Sequence, residues 1–67
     1  MEIKNVLSYV SQKNWSDDDL EVECTVEAII DGIKKKTVFF CEDPLTASEK
    51  CIKNPLNFDW FEEKTVL

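Results

Sequence analysis

The side chains that could do chemistry in this chain are fourteen carboxylates, three thiols and eight lysine amines, and the chain contains neither histidine nor arginine. Without histidine, no side chain has an ordinary pKa near 7, as a general acid or base requires. The thiols belong to Cys24, Cys41 and Cys51, which lack the CxxC pair or histidine of a metal site. There is also no glycine-rich phosphate loop and no nucleophile motif. We therefore expect a protein that is not an enzyme and that uses no metal or cofactor.

An odd number of cysteines without the spacing of a disulfide framework is typical of thiols in a reducing compartment. We expect all three to pack in the core as small apolar side chains. Residues 1–14 lack the basic start and long apolar core of a secretory signal, and no apolar run approaches membrane-spanning length. The sequence thus predicts a cytoplasmic protein without a membrane partner.

Acidic residues dominate the charge of the chain, which is −6 at neutral pH. Five of them crowd into seven positions: Asp17, Asp18, Asp19, Glu21 and Glu23. Carboxylates at alternate strand positions stand about 6–7 Å apart, close to the spacing of successive phosphates. This pattern favours a DNA-mimicking edge that binds a basic protein surface, although acids of this kind also serve only to keep a small protein soluble. Negative charge without arginine argues against direct binding of nucleic acid.

These acids must be positioned by a β-hairpin, which the sequence predicts over residues 20–30 and 33–42. In the first segment the even positions are apolar and the odd positions are polar, with Ile29 as the exception. Asp31 and Gly32 between the segments tolerate the positive φ angles that a type I′ turn requires. A rival interpretation is a helix that begins at Ser16, but it leaves the alternation unexplained and places β-branched residues inside a helix.

A two-residue turn fixes the register of the hairpin. It places Ile30 opposite Ile33 on a largely apolar face, and Glu21 opposite Glu42 at the far end, where two like charges would oppose each other. The second face is mixed, because it carries charges together with Ile29, Val38 and Phe40. Such a face is either covered by another element or available to a partner.

The remaining elements are a helix over residues 44–53, a short C-terminal strand within 59–67, and an N-terminal helix or strand over 1–13. Asp43 and Pro44 suit the cap and first position of the helix, whose inward stripe is predicted to be Leu45, Ser48, Cys51 and Ile52. At the N-terminus an amphipathic helix is the first choice, with Ile3, Val6, Leu7 and Val10 at helical spacing. A third antiparallel strand is the alternative. Together these elements predict one small α+β domain over residues 1–67.

Aromatic residues supply the second group of candidate binding residues. Trp15, Phe40 and Trp60 lie beside predicted turns or on the second hairpin face, and aromatic side chains dominate binding hot spots. The alternative is that Trp60 completes the core and that the N-terminal segment covers Phe40.

In layout the chain is similar to short phage-encoded proteins that shut down a host enzyme, with a hairpin, a capped helix, a final strand, acidic edges and no catalytic residues. The resemblance implies an inhibitor or adaptor. We therefore expect a protein-binding module that occludes the basic surface of a nucleic-acid-handling protein, in an anti-host or anti-defence role. The alternative is a structural or assembly subunit that forms a homodimer through the outer hairpin face.

Overall fold

The computed structural model describes residues 2–15 and 20–62, without the side chains of residues 12–15. Within these residues the chain forms a four-stranded antiparallel sheet in the order β1-β2-β3-β4 and one α-helix. The elements are β1 (Ile3–Trp15), β2 (Val22–Ile30), β3 (Ile33–Cys41), α1 (Pro44–Lys53), a 3-10 turn (Pro55–Asn57) and β4 (Phe61–Glu62). This architecture confirms the predicted α+β class. Residues 63–67, where the rest of the C-terminal strand was expected, lie outside the described part.

The β2-β3 hairpin has the predicted turn and the predicted register. Asp31 and Gly32 adopt φ angles of 52° and 84°, as a type I′ turn requires. The ladder runs from the pair Ile30 and Ile33 at the turn to the pair Val22 and Cys41. Residues 20 and 21 precede β2, so the expected cross-strand pairing of Glu21 with Glu42 is wrong. The rival helix from Ser16 is excluded for the residues of β2.

The expectation of an N-terminal helix is wrong, because residues 3–15 form the edge strand β1. Between Lys4 and Leu7 the strand advances three positions while β2 advances two, and Asn5 has a φ of 56°. This bulge inserts one extra residue. Ile3 pairs with Ile30 of the core face, and Val6 packs on the core although it is three positions later. A bulged strand thus imitates the i, i+3 spacing of a helix.

Helix α1 begins and ends where the sequence predicts. The Asp43 carboxylate accepts a hydrogen bond of 2.7 Å from the backbone N–H of Thr46, and Pro44 occupies the first turn. This hydrogen bond is the main reason that the pKa of Asp43 lies below its usual value. The predicted inward stripe is only partly right. Ala47 and Cys51 are buried, whereas Leu45 and Ile52 are 71% and 52% exposed.

The core lies between α1 and one face of the sheet. Its centre consists of five buried side chains, to which several half-buried ones are added: Cys24, Val26, Cys41, Ala47 and Cys51 with Val6, Val22, Phe39, Phe58 and Trp60. The rings of Phe39 and Phe58 pack with centroids 4.7 Å apart. The Ser48 hydroxyl donates a hydrogen bond to the Ser8 hydroxyl, which joins α1 to β1. All three cysteines are free and buried, as predicted.

No helix within the described residues is long and apolar enough to cross a membrane.

Candidate functional site

The sheet face opposite α1 is not covered by any described element. We call it the open face. It is formed by alternate residues of the four strands: Lys4, Leu7, Tyr9 and Ser11; Glu23, Thr25, Glu27 and Ile29; Lys34, Lys36, Val38 and Phe40; and Phe61. Leu7, Tyr9, Val38, Phe40 and Phe61 are between 40% and 59% exposed, although each has a large apolar side chain. Within the described residues, the two-layer fold therefore leaves a broad apolar surface uncovered.

The centre of the open face is a continuous row across three strands. Thr25 lies opposite Tyr9 on one side and opposite Val38 on the other. Although no described element packs above it, Thr25 is only 4% exposed, because the larger neighbouring side chains shield it. Phe40 lies one level further along β3, two positions beyond Val38. Contiguous apolar patches of this kind are typical of interaction sites.

Glu27 is held within the open face by two partners. The Tyr9 hydroxyl donates to its carboxylate at 2.6 Å, and the Lys34 amine lies 3.6 Å from the other oxygen. The Tyr9 hydrogen bond, followed by the charge of Lys34, lowers the pKa of Glu27 despite an opposing contribution from burial. Glu27 is therefore ionised at neutral pH and already has hydrogen-bond partners, which makes it a poor candidate for a proton-transfer group.

Glu23 is also satisfied inside the protein. The Ser11 hydroxyl lies 3.0 Å from its carboxylate and 3.2 Å from its backbone carbonyl. Among the described residues, no buried side-chain nitrogen or oxygen lacks a hydrogen-bond partner. A partner that covered this face would therefore not strip Glu23 or Glu27 of all their hydrogen bonds, which lowers the cost of burying them.

Charge is distributed unequally along the open face. At the end near the Asp31-Gly32 turn, the open-face residues are Lys4, Lys34 and Lys36 with Glu27, and the carboxylates of Glu2 and Asp31 flank them; we call this the basic end. Lys36 also lies 5.6 Å above the ring of Phe61, a cation–π contact.

At the opposite end of the open face lies Glu23, and Glu21 and Glu42 follow in the chain just outside the β2-β3 ladder, which ends at Val22 and Cys41. We call these three residues the acidic end. The apolar row of Tyr9, Thr25 and Val38 separates it from the basic end.

The structure brings two of the predicted binding residues together, Glu23 and Phe40, and Glu21 directly precedes β2. Phe40 pairs with Glu23 across the ladder. Asp17, Asp18, Asp19 and the side chain of Trp15 lie outside the described residues, although the backbone of Trp15 pairs with Val22.

Trp60 lies elsewhere in the structure, half-buried against the core. Its indole N–H donates to the Pro55 carbonyl at 2.8 Å. These contacts agree with the alternative that Trp60 completes the core rather than anchors a partner.

The sequence did not indicate that Leu7, Tyr9 and Phe61 belong to the open face. The helical interpretation of residues 1–13 placed Leu7 on an inward stripe, and the bulge at Asn5 hid the strand alternation of Leu7, Tyr9 and Ser11. Phe61 could be assigned only after β4 was paired with β3, where it lies opposite Lys36.

The other features of the described residues are weaker candidates for a functional site. No group of three or more histidine, cysteine, aspartate or glutamate residues is arranged to hold a metal ion. Burial raises the pKa of the Cys51 thiol to about 11, so this thiol is protonated at neutral pH and is a poor nucleophile. A shallow depression of about 290 Å³ between β1 and β2 is lined by residues that include Asn5, Leu7 and Lys34, and it opens onto the open face.

No family model matches the chain, and neither curated proteins nor solved structures yield a match.

Proposed function

We propose that this chain is a non-enzymatic protein-binding module and that the open face is its docking surface. The observation that carries the proposal is the exposure of five large apolar side chains on one uncovered sheet face. Burial of each such side chain contributes roughly 1.5–3 kcal/mol when it is complete. A protein that packed on this face would therefore gain free energy that the isolated chain does not.

The acidic end supports a finer version of this proposal. Glu23 pairs with Phe40, Glu21 and Glu42 adjoin the ends of β2 and β3, and the net charge of −6 attracts basic surfaces. Docking would then cover the basic surface of a nucleic-acid-handling protein by steric and electrostatic occlusion, as an inhibitor or adaptor does. Phe40 would supply the apolar anchor and the carboxylates would increase the rate of association.

The test compares two surfaces of the same protein. Tagged wild type, Val38→Lys and Leu45→Lys are used to capture proteins from a lysate of the source cells. Leu45 is the matched control, because it is an exposed apolar residue on the outer side of α1. We expect the wild type and Leu45→Lys to retain the same protein in similar amounts. Val38→Lys should retain at least about tenfold less of it. Bound copies of the chain itself are not counted as captured protein.

Two outcomes contradict the proposal: a captured protein that Val38→Lys retains as well as the wild type does, or no captured protein at all. The electrostatic version of the proposal is tested separately by elution at about 0.5 M salt. At this concentration the Debye length is about 4–5 Å, so interactions between exposed charges are largely screened. Retention that does not change with salt contradicts the electrostatic version and leaves the open face as the docking surface.

A further inference from the structure

We infer that this chain forms a two-fold dimer through the free edge of β1 and the adjoining flank of α1. This interface is separate from the open face and does not depend on it. β1 is the edge strand of the sheet, and within the described residues no strand pairs with its outer side. Over residues 7–10, between its two irregularities, β1 pairs with β2 without interruption. A regular edge of this kind presents unpaired backbone groups that another strand can bind.

The backbone groups on the free edge belong to Ser8 and Val10. The Glu23 carbonyl of β2 is directed towards β1, where it accepts a hydrogen bond from the Ser11 hydroxyl at 3.2 Å. Because backbone groups alternate in direction along an antiparallel strand, every second residue of β2, and with it Tyr9 of β1, takes part in the hydrogen bonds between these strands. The neighbours of Tyr9 in the chain, Ser8 and Val10, therefore point their N–H and C=O groups outward.

The flank of α1 above this edge is apolar and exposed. The Ser48 hydroxyl donates to the Ser8 hydroxyl, so Ser48 marks the side of the helix that lies over β1. Leu45 is three residues before Ser48 and Ile52 is four residues after it, which places all three on one flank. Leu45 and Ile52 are 71% and 52% exposed, because the sheet ends at β1 and no described strand lies further out. We call Leu45, Ser48 and Ile52 the overhanging flank.

A second copy satisfies the strand edge. A two-fold axis perpendicular to the sheet and beside Tyr9 pairs the two β1 strands in antiparallel fashion. Ser8 of each copy then exchanges both of its outward hydrogen bonds with Val10 of the other. Residues 5–12 carry no charge, although 33% of the chain is charged, so two identical edges meet without opposing like charges.

The same axis also satisfies the overhanging flank, which argues for a second copy rather than an unrelated strand. Ser48 lies near the midpoint of α1 and over Ser8, one residue from the axis. Because α1 packs on both β1 and β2, the two helices run about 10 Å apart, the usual distance for packed helices. Leu45 of each helix lies beside Ile52 of the other, as an isologous interface requires. A single strand from another protein leaves these two side chains exposed.

The size of this surface predicts a reversible dimer. Two layers about 10 Å apart, along roughly 15 Å of helix and strand, bury about 600–1,000 Å² in total. Glu49 of each copy lies near the axis on the solvent side of the helices, and each copy carries a net charge of −6, so electrostatic repulsion opposes association. We therefore expect a dissociation constant of about 10–300 μM, which decreases when salt screens this repulsion.

Sedimentation velocity from about 5 μM to about 1 mM measures this association. The test variant is Ile52→Lys, and its matched control is Val38→Lys, which places the same charge on an exposed apolar position of the open face. We expect Ile52→Lys to weaken the dimer at least about tenfold, and Val38→Lys to keep the dissociation constant within about threefold of the wild type. Salt at about 0.5 M should strengthen the wild-type dimer. Circular dichroism verifies that each variant is folded.

Disulfide trapping tests the position of the axis. Tyr9 lies opposite Tyr9 of the second copy, whereas the two Leu7 residues lie about 14 Å apart, too far for a disulfide. On oxidation with diamide, which takes up the two thiol hydrogens, we expect Tyr9→Cys to form a covalent dimer and Leu7→Cys to remain monomeric. The native cysteines are buried and do not contribute. In the wild type, the amides of Ser8 and Val10 should become protected from hydrogen exchange as the concentration rises.

The inference is overturned if the wild type is monomeric at about 1 mM, if Ile52→Lys and Val38→Lys weaken the dimer equally, or if Leu7→Cys is trapped as efficiently as Tyr9→Cys. Protection of the Ser8 and Val10 amides by another protein, in a chain that stays monomeric, overturns the second copy as the occupant. The proposed function fails separately, since capture of another protein that Val38→Lys does not weaken contradicts the open face whether or not the chain dimerises.

Discussion

At the residue scale, the contacts of Glu27 on the open face determine both its pKa and its contribution to the stability of the fold. The hydrogen bond from Tyr9 is the main cause of its lowered pKa, and Lys34 adds to the effect. A carboxyl group whose pKa is lower in the folded than in the unfolded chain stabilises the fold above the unfolded pKa. That stability is lost as the pH falls through the folded pKa. The ionised Glu27 carboxylate therefore stabilises the fold at neutral pH, and this stabilisation is absent in strong acid.

Tyr9→Phe should raise the pKa of Glu27 towards its ordinary value and lower the free energy of unfolding by about 1 kcal/mol at pH 7. The difference from wild type should shrink when unfolding is measured below the folded pKa. The pKa is read from carbon-13 shifts of the carboxyl group, and Lys34→Gln is the control, with a smaller shift in the same direction. An unchanged pKa of Glu27 in Tyr9→Phe would show that the hydrogen bond does not form in solution.

At the element scale, the hairpin depends on its turn. Gly32 has a φ of 84°, which residues with a Cβ rarely adopt, and a Cβ built there meets no atom within 4 Å. Gly32→Ala should therefore lower the free energy of unfolding by about 1–2 kcal/mol through backbone strain alone. Urea denaturation measures this cost.

Asp31→Asn is the control for that experiment. Asparagine also tolerates the left-handed region and keeps the oxygen that accepts the Glu2 N–H at 2.8 Å. We expect it to be nearly neutral. A Gly32→Ala protein as stable as Asp31→Asn would mean that the turn has another conformation.

Elements whose signals are local could be predicted from the sequence. The Asp31-Gly32 turn determined the β2-β3 register, and Asp43 with Pro44 determined the start of α1, because each signal acts on adjacent backbone groups. Strand β1 could not be predicted in the same way. Its bulge at Asn5 gave a strand the spacing of a helix, and only pairing with β2 distinguishes the two.

At the scale of the whole molecule, the main feature is an α-helix on one side of a sheet and no described element on the other. The sequence indicated that the second hairpin face carried Val38 and Phe40, but could not show whether residues 1–13 covered it. Because those residues join the sheet edge as β1, they extend the open face by Leu7 and Tyr9 rather than covering it. Whether another element covers a sheet face depends on tertiary packing, which the alternation of residues along a strand does not reveal.

The most direct test of the central claim is to map binding onto the amides and methyl groups of the isotope-labelled chain by NMR. The spectra are recorded before and after addition of the protein captured from lysate. We expect shifts and line broadening to concentrate at Leu7, Thr25, Val38 and Phe40, and to leave Leu45 and Ile52 on the outer side of α1 unchanged. Changes confined to the outer side of α1, or no changes at all, would contradict the claim that the open face is a protein interface.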